Sequence, residues 1–277
     1  MGTSRLGDVE LTYQLRERGE RVVLVHASAF ASWYDPLIEQ LTAYSTLRYR
    51  RRLRKSDSGV YRALTVAEDA GTCVSVMDHV GWDAAHIVGH SYGALVALQL
   101  ATENPGRVGS VALLEPAIRG VASSEQIIVA LQPVIAAYRS GDKAAAVDGF
   151  LRHVCGDGYR GVLDRMVPHA FDDALEEADL FFQSELPAVQ QWSFGAAESE
   201  RITQPVLNVL GAESAPRFVE GSELLQSWFP RAERLSVPKA GHLLMVQNPT
   251  AVARGLKDFF SRHPIDQVGS ALRRRSL

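Results

Sequence analysis

Residues 85–94 read Ala-His-Ile-Val-Gly-His-Ser-Tyr-Gly-Ala, and few folds can use such a stretch. Its apolar start predicts a short strand buried on both faces. Ala94 opens a helical pattern that runs to Glu103, and Asn104-Pro105-Gly106 stops it. Ser91 therefore stands at the turn between strand and helix, with Gly89 and Gly93 two residues to either side. A turn this tight forces its central residue into a strained backbone conformation and leaves no room for side chains at the flanking positions. The small Ala94 and Ala97 let the helix lie close on the sheet. The serine hydroxyl is lifted to a helix N-terminus, where free N–H groups favour developing negative charge.

The rest of the chain repeats the strand–helix rhythm. Strands are predicted over 9–16, 21–26, 85–89, 108–114, 205–210 and 232–237, and helices over 36–42, 65–80, 94–103 and 250–261. Alternation of this kind implies an α/β fold, a mostly parallel, doubly wound sheet covered on both faces. Residues 119–202 break the rhythm. They hold helical patterns over 127–138 and 144–154 and no convincing strand. An insertion after a strand's C-terminal end falls near the ligand crevice of an open α/β sheet. Residues 119–202 are therefore expected to form a helical cap on a core made of 1–118 and 203–277; packing helices without a role are the plainer alternative.

Composition narrows the function. Apolar residues make up 46% of the chain and the net charge is −3, which argues against nucleic acid or an anionic membrane as partner. Arginines cluster over 48–54 and in the tail at 273–275, the latter expected to be solvated. The two cysteines, Cys73 and Cys155, have no metal-ligand spacing, so neither a metal nor another cofactor is expected. Residues 1–11 lack the apolar run of an export signal, and no membrane-spanning run exists, so a cytoplasmic place is expected.

The strand–Gly-x-Ser-x-Gly–helix segment resembles the α/β-hydrolase superfamily, and the likeness extends from Val9 to Phe260. Three further segments carry it. Residues 22–28, Val-Val-Leu-Val-His-Ala-Ser, are similar to the family's oxyanion-loop strand, with Ala27 where glycine is usual. Gly241-His242, followed by Asn248-Pro249, resembles the catalytic histidine loop. Residues 49–56 resemble a D-x-R-G-x-G-x-S loop in which Arg50 replaces the aspartate and Leu53 and Lys55 replace the glycines, which implies remodelling.

The resemblance implies that Ser91 is a nucleophile and His242 the base that takes its proton. The backbone N–H groups of Ser28 and Tyr92 would form the oxyanion hole. His26 and His90 would support the loop and the turn. The triad acid usually lies three residues past a glycine after the strand that follows the cap, and Ser214 stands there. Two glutamates compete for the role, and a site without an acid is the third alternative. Glu115 ends the strand 108–114, where some family members, lactone hydrolases similar to the zearalenone-degrading enzymes among them, place the acid. Glu213 is one residue off the usual position. Glu115 is preferred, since a carboxylate directly after an apolar strand needs a buried partner and His242 would be one.

A serine hydrolase acting on an ester or lactone is the reading that follows, with a small apolar substrate and with Ala29 and Trp192 as substrate-binding candidates beside apolar cap residues such as Ile127, Leu131 and Phe194. The alternative is a non-hydrolytic protein on the same fold: a cyclase, a lyase or a ligand receptor.

Overall fold

The computed structural model describes residues 2–6, 9–53 and 61–265. Its centre is a sheet of eight strands: β1 (Gly2–Leu6), β2 (Val9–Arg16), β3 (Arg21–Val25), β4 (Ser45–Leu53), β5 (Ala85–His90), β6 (Val108–Leu114), β7 (Val206–Gly211) and β8 (Glu233–Val237). They lie in the order β1-β2-β4-β3-β5-β6-β7-β8. β2 pairs antiparallel with β1 and β4, and from β4 to β8 every pairing is parallel. The expected mostly parallel α/β architecture is what the chain adopts. β5 and β6 are buried along their whole lengths, as central strands covered on both faces must be.

The helices are fixed by local chemistry. Helix Val66–His79 starts at a capping box: the Thr65 hydroxyl accepts from the Glu68 N–H at 3.1 Å, and the Glu68 carboxylate accepts from the Thr65 N–H at 2.8 Å. Helix Pro249–Arg262 is capped by the Asn248 side chain, and its apolar stripe of Val252, Leu256, Phe259 and Phe260 is buried. No helix among the described residues is long and apolar enough to cross a membrane.

Two features differ from expectation. The helix foreseen over 36–42 is a single turn, Asp35–Ile38, that follows a 3-10 stretch, Ser28–Tyr34. The arginine-rich segment is the strand β4, which inserts between β2 and β3. Two of its charges meet carboxylates nearby. Arg48 pairs with Asp35 at 2.6 Å and donates to the Ala31 carbonyl at 2.6 Å, which holds the 3-10 stretch. Arg50, the residue standing for an aspartate in the family's loop, pairs with Asp173 at 2.8 Å and ties the sheet to the helices inserted after β6. The rest of that loop (54–56) and the arginine tail (273–275) lie outside the described residues.

Between β6 and β7 the chain is helical, with no strand. Helices Ser124–Arg139 and Lys143–Cys155 extend slightly beyond the expected bounds, and shorter helices follow. One of these runs from Ala178 to Gln191 and passes through a π-helical turn at Phe181–Glu185. Pro187 has no N–H to give and crowds the carbonyl four residues back, so a widened turn accommodates it. The Gln183 side chain in this turn accepts from the Tyr61 N–H, and the Ser184 hydroxyl accepts from the Leu64 N–H.

Candidate active site

Ser91 sits between β5 and the helix Tyr92–Glu103, at φ 52° and ψ −115°. A non-glycine residue pays for such a conformation with about 1–3 kcal/mol of strain, and the surroundings must enforce it. They do so with three backbone bonds. The Ser91 N–H donates to the Leu114 carbonyl at 3.0 Å, and the Ser91 carbonyl accepts from Ala94 at 3.1 Å and Ala117 at 3.2 Å. The flanking glycines answer a steric need. A Cβ on Gly89 would strike the Gly93 carbonyl and Ala94, and one on Gly93 would strike the Val25 carbonyl at the end of β3.

β6 ends next to this turn, at Glu115, whose φ of 43° is again left-handed. The Glu115 N–H continues the sheet ladder to the Val209 carbonyl at 3.1 Å. Its side chain is fully buried and meets three donors. Oε2 accepts from His242 Nδ1–H at 2.8 Å. Oε1 accepts from the Gly211 N–H at 2.8 Å and from the Ser214 hydroxyl. Ser214, which stands at the family's usual acid position, thus donates to the carboxylate that comes from the neighbouring strand. β6 and β7 are neighbours, and an acid at the end of either strand reaches the same space. Glu213 is exposed, its N–H is taken by the Ala240 carbonyl at 2.9 Å, and its side chain makes none of the described hydrogen bonds.

His242 follows β8 in the turn after Ala240 and is buried. A carboxylate only accepts, so the contact with Glu115 puts the proton on Nδ1 and leaves the Nε2 lone pair free to act as a base. Phe218 stacks flat on the imidazole, with centroids 4.0 Å apart and 9° between planes. His90 donates from Nε2 to the His242 carbonyl at 3.0 Å and so braces the histidine turn against the serine turn. His26 donates from Nδ1 to the Ala27 carbonyl at 2.6 Å. Burial holds His242 below its ordinary value of 6.5; Glu115 opposes this and Arg217 adds to it.

Ser91, Tyr92 and His242 line a cavity of about 160 Å³. Its far wall comes from the inserted helices, through Ile127, Leu131, Phe150, Val154, Phe181 and Leu186. Ala27 and Phe30 line it from the other side. Tyr92 is the first residue of its helix and Ser28 the first of the 3-10 stretch. The N–H groups of a helix's first turn have no partner within the helix.

Residues 22–255 match the profile of the alpha/beta hydrolase family. The chain belongs to that family. A putative carbamate hydrolase RutD of Variovorax paradoxus is 26% identical over 250 residues, covering 88% of this chain and 92% of that protein. The dihydrolipoyllysine-residue acetyltransferase component of the acetoin cleaving system of Pseudomonas putida is 26% identical over 197 residues, covering 69% of this chain and 50% of that protein. This alpha/beta hydrolase spans half the length or less of the acetoin-system relatives it matches. Among solved structures, the enol-lactonase from Burkholderia xenovorans LB400 has the same fold. The TM-score is 0.78 at 19% identity, covering 94% of this chain and all of that one.

Two expected substrate contacts of this hydrolase lie elsewhere. Trp192 donates from its indole to Gln99 at 2.8 Å and stacks on Phe194 at 5.2 Å, and it does not line the cavity. Ala29 is buried in the core, while Ala27, Phe30 and Trp33 line the cavity. The stretch Ser28–Tyr34 is kinked at Phe30, whose backbone leaves the helical region. Sequence reasoning missed Phe218 and Arg217, which enter the cavity from the start of helix Pro216–Trp228. Their only signal was position, just past the Gly211 loop.

Proposed function

We propose that this protein is a serine hydrolase of carbonyl substrates, an ester or lactone hydrolase working through Ser91, His242 and Glu115. The 2.8 Å bond between His242 Nδ1 and Glu115 Oε2, behind a cavity that Ser91 lines, carries this reading. The Ser91 hydroxyl attacks the substrate carbonyl while His242 Nε2 takes its proton. The N–H groups of Tyr92 and Ser28 stabilise the resulting oxyanion. The imidazolium, steadied by Glu115, then protonates the leaving alcohol. Water, deprotonated by the same histidine, attacks the acyl carbon; the acyl–Oγ bond breaks, the carboxylic acid leaves and His242 returns the proton to Ser91. The names of similar proteins, a putative carbamate hydrolase and an uncharacterised carboxylesterase, agree with this class. Incubation with 4-nitrophenyl butyrate and with a fluorophosphonate tests it. Turnover together with stoichiometric labelling is expected. Labelling without turnover of any ester or lactone would favour the non-hydrolytic alternative.

The pH dependence has a defined sign. His242 must be neutral to accept the proton, and burial favours its neutral form. The acid limb of kcat/KM should therefore lie below pH 6.5, with a plateau through neutral pH. A limb centred above 6.5 in a pH–rate profile would contradict this assignment.

Residues 119–202 act, in the same proposal, as a cap on the core of 1–118 and 203–277, excluding water and limiting substrate length. Leu131 is half-buried on the cavity wall, so Leu131→Trp should fill space without strain in the core. The expected result is a fall of about tenfold in kcat/KM for octanoate esters relative to acetate esters, in line with the cost of misfitting a pocket by a few methylenes. An equal effect on both esters would remove the cap from specificity.

A further inference from the structure

Among the residues lining the cavity are two arginines, Arg119 and Arg217, and no aspartate or glutamate. Arg119 is exposed and is tied to the Gln190 carbonyl. Arg217 is half-buried. Its guanidinium donates to His153 Nε2 at 2.7 Å and to the His153 carbonyl at 2.6 Å, and it lies 4.7 Å from the centroid of the Phe218 ring. Neither partner is an anion, and no carboxylate among the described residues lies within ion-pair distance of it. A guanidinium stays charged at neutral pH; Glu115 attracts this one only from beyond ion-pair distance, and holding it in a mainly apolar cavity without a directly paired carboxylate is costly. Its fork of donors matches a carboxylate, and among the described residues it makes two hydrogen bonds, both to His153. A cleft lined by charge of one sign also concentrates ligands of the other.

We infer that the substrate carries a carboxylate that Arg217 receives, so that the enzyme's substrates are anionic esters or lactones rather than wholly apolar ones. This rests on the hydrolase reading above and narrows its substrate class. Phe218 joins the two ends of the site, since it stacks on His242 with one face and neighbours the Arg217 guanidinium. The arginine holds the remote end of the substrate and takes no part in bond making. Such an anchor binds ground state and transition state alike, so its loss should appear mainly in KM.

Two matched pairs test it at pH 8, where His242 is neutral in every variant. One pair puts the carboxylate on the acyl side: the 4-nitrophenyl monoester of adipic acid against 4-nitrophenyl hexanoate. The other puts it on the alcohol side: 4-carboxyphenyl hexanoate against phenyl hexanoate. In at least one pair the anionic ester should be preferred by about tenfold or more in kcat/KM. Arg217→Gln should erase that preference through KM, costing the anionic ester of a pair at least tenfold more than its neutral partner, while Arg217→Lys should retain part of it. Neutral esters preferred in both pairs, or an equal loss on neutral and anionic esters, would overturn the proposal. Calorimetry on Ser91→Ala separates this from the hydrolase reading. Monomethyl adipate should bind at least tenfold more tightly than the neutral methyl hexanoate, and Arg217→Gln in that background should abolish the difference. If no ester is turned over yet monomethyl adipate still binds in this way, the hydrolase reading fails and the anion site stands. If monomethyl adipate and methyl hexanoate bind alike, the anion site fails.

Discussion

Ser91→Ala is expected to abolish fluorophosphonate labelling and to lower kcat by roughly 10³-fold or more. The size follows from what remains. Alanine leaves the cavity, the N–H groups of Tyr92 and Ser28 and His242 in place, so only the residual rate from binding and electrostatics survives. The variant should fold as the wild type does. Its Cβ stands where the serine Cβ stood, and the strained φ of 52° is borne equally by either residue. Ser91→Gly is a useful companion, because glycine enters this region without penalty. It should be equally inactive and more stable by about 1 kcal/mol, within the range such strain stores. Melting curves of the two variants, read beside their rates, separate loss of the nucleophile from loss of the fold. Labelling that persists on another residue, or a rate within tenfold of wild type, would remove Ser91 from the mechanism.

What the sequence made legible depended on how many physical demands met at one place. The serine turn was readable because strand burial, two glycines and a helix start each restrict residue type. Contacts of Gly89 and Gly93 with the backbones of Ala94 and Val25 are that restriction in atomic form. β4 was hidden by its arginines. Leu47 and Tyr49 are buried, but the intervening Arg48 is also buried, with its charge met by Asp35, and no simple alternation survives. Long cationic side chains can line a core-facing surface with their stems, which period counting misses. Trp192 was misplaced for a related reason. An apolar aromatic in a helical segment fits a pocket or a core equally well until its packing partners, here Gln99 and Phe194, are known. Arg217 was illegible as a cavity cation because its hydrogen-bond partner, His153, is distant in the sequence and only the fold brings the two together.

The comparison of Glu115→Gln with Glu213→Gln decides the acid. Glu115→Gln is expected to lower kcat by about 10³- to 10⁴-fold, as loss of a triad carboxylate does when its geometry is kept. The cause is the tautomer. The wild-type carboxylate accepts from His242 Nδ1, so that Nε2 is the basic atom. A glutamine held by the Gly211 N–H and the Ser214 hydroxyl would direct its oxygen to those donors and its amide N–H toward His242. The histidine would then accept at Nδ1 and carry its proton on Nε2, facing the serine with no base. The carboxylate also raises the pKa of His242 against the effect of burial, so the residual activity should show its acid limb at still lower pH. Glu213 is exposed and its side chain contacts none of these groups, so Glu213→Gln should stay within about threefold of wild type, as surface substitutions usually do. Stability sharpens the contrast. Glutamine at 115 replaces a buried, three-bonded carboxylate and should cost about 1–3 kcal/mol, whereas the surface change should cost nearly nothing. Rates above the melting-curve correction, with Glu213→Gln crippled and Glu115→Gln near wild type, would transfer the role to Glu213. A fall in Glu115→Gln alone, with the pH limb displaced downward, leaves the carboxylate at the end of β6 as the partner of His242.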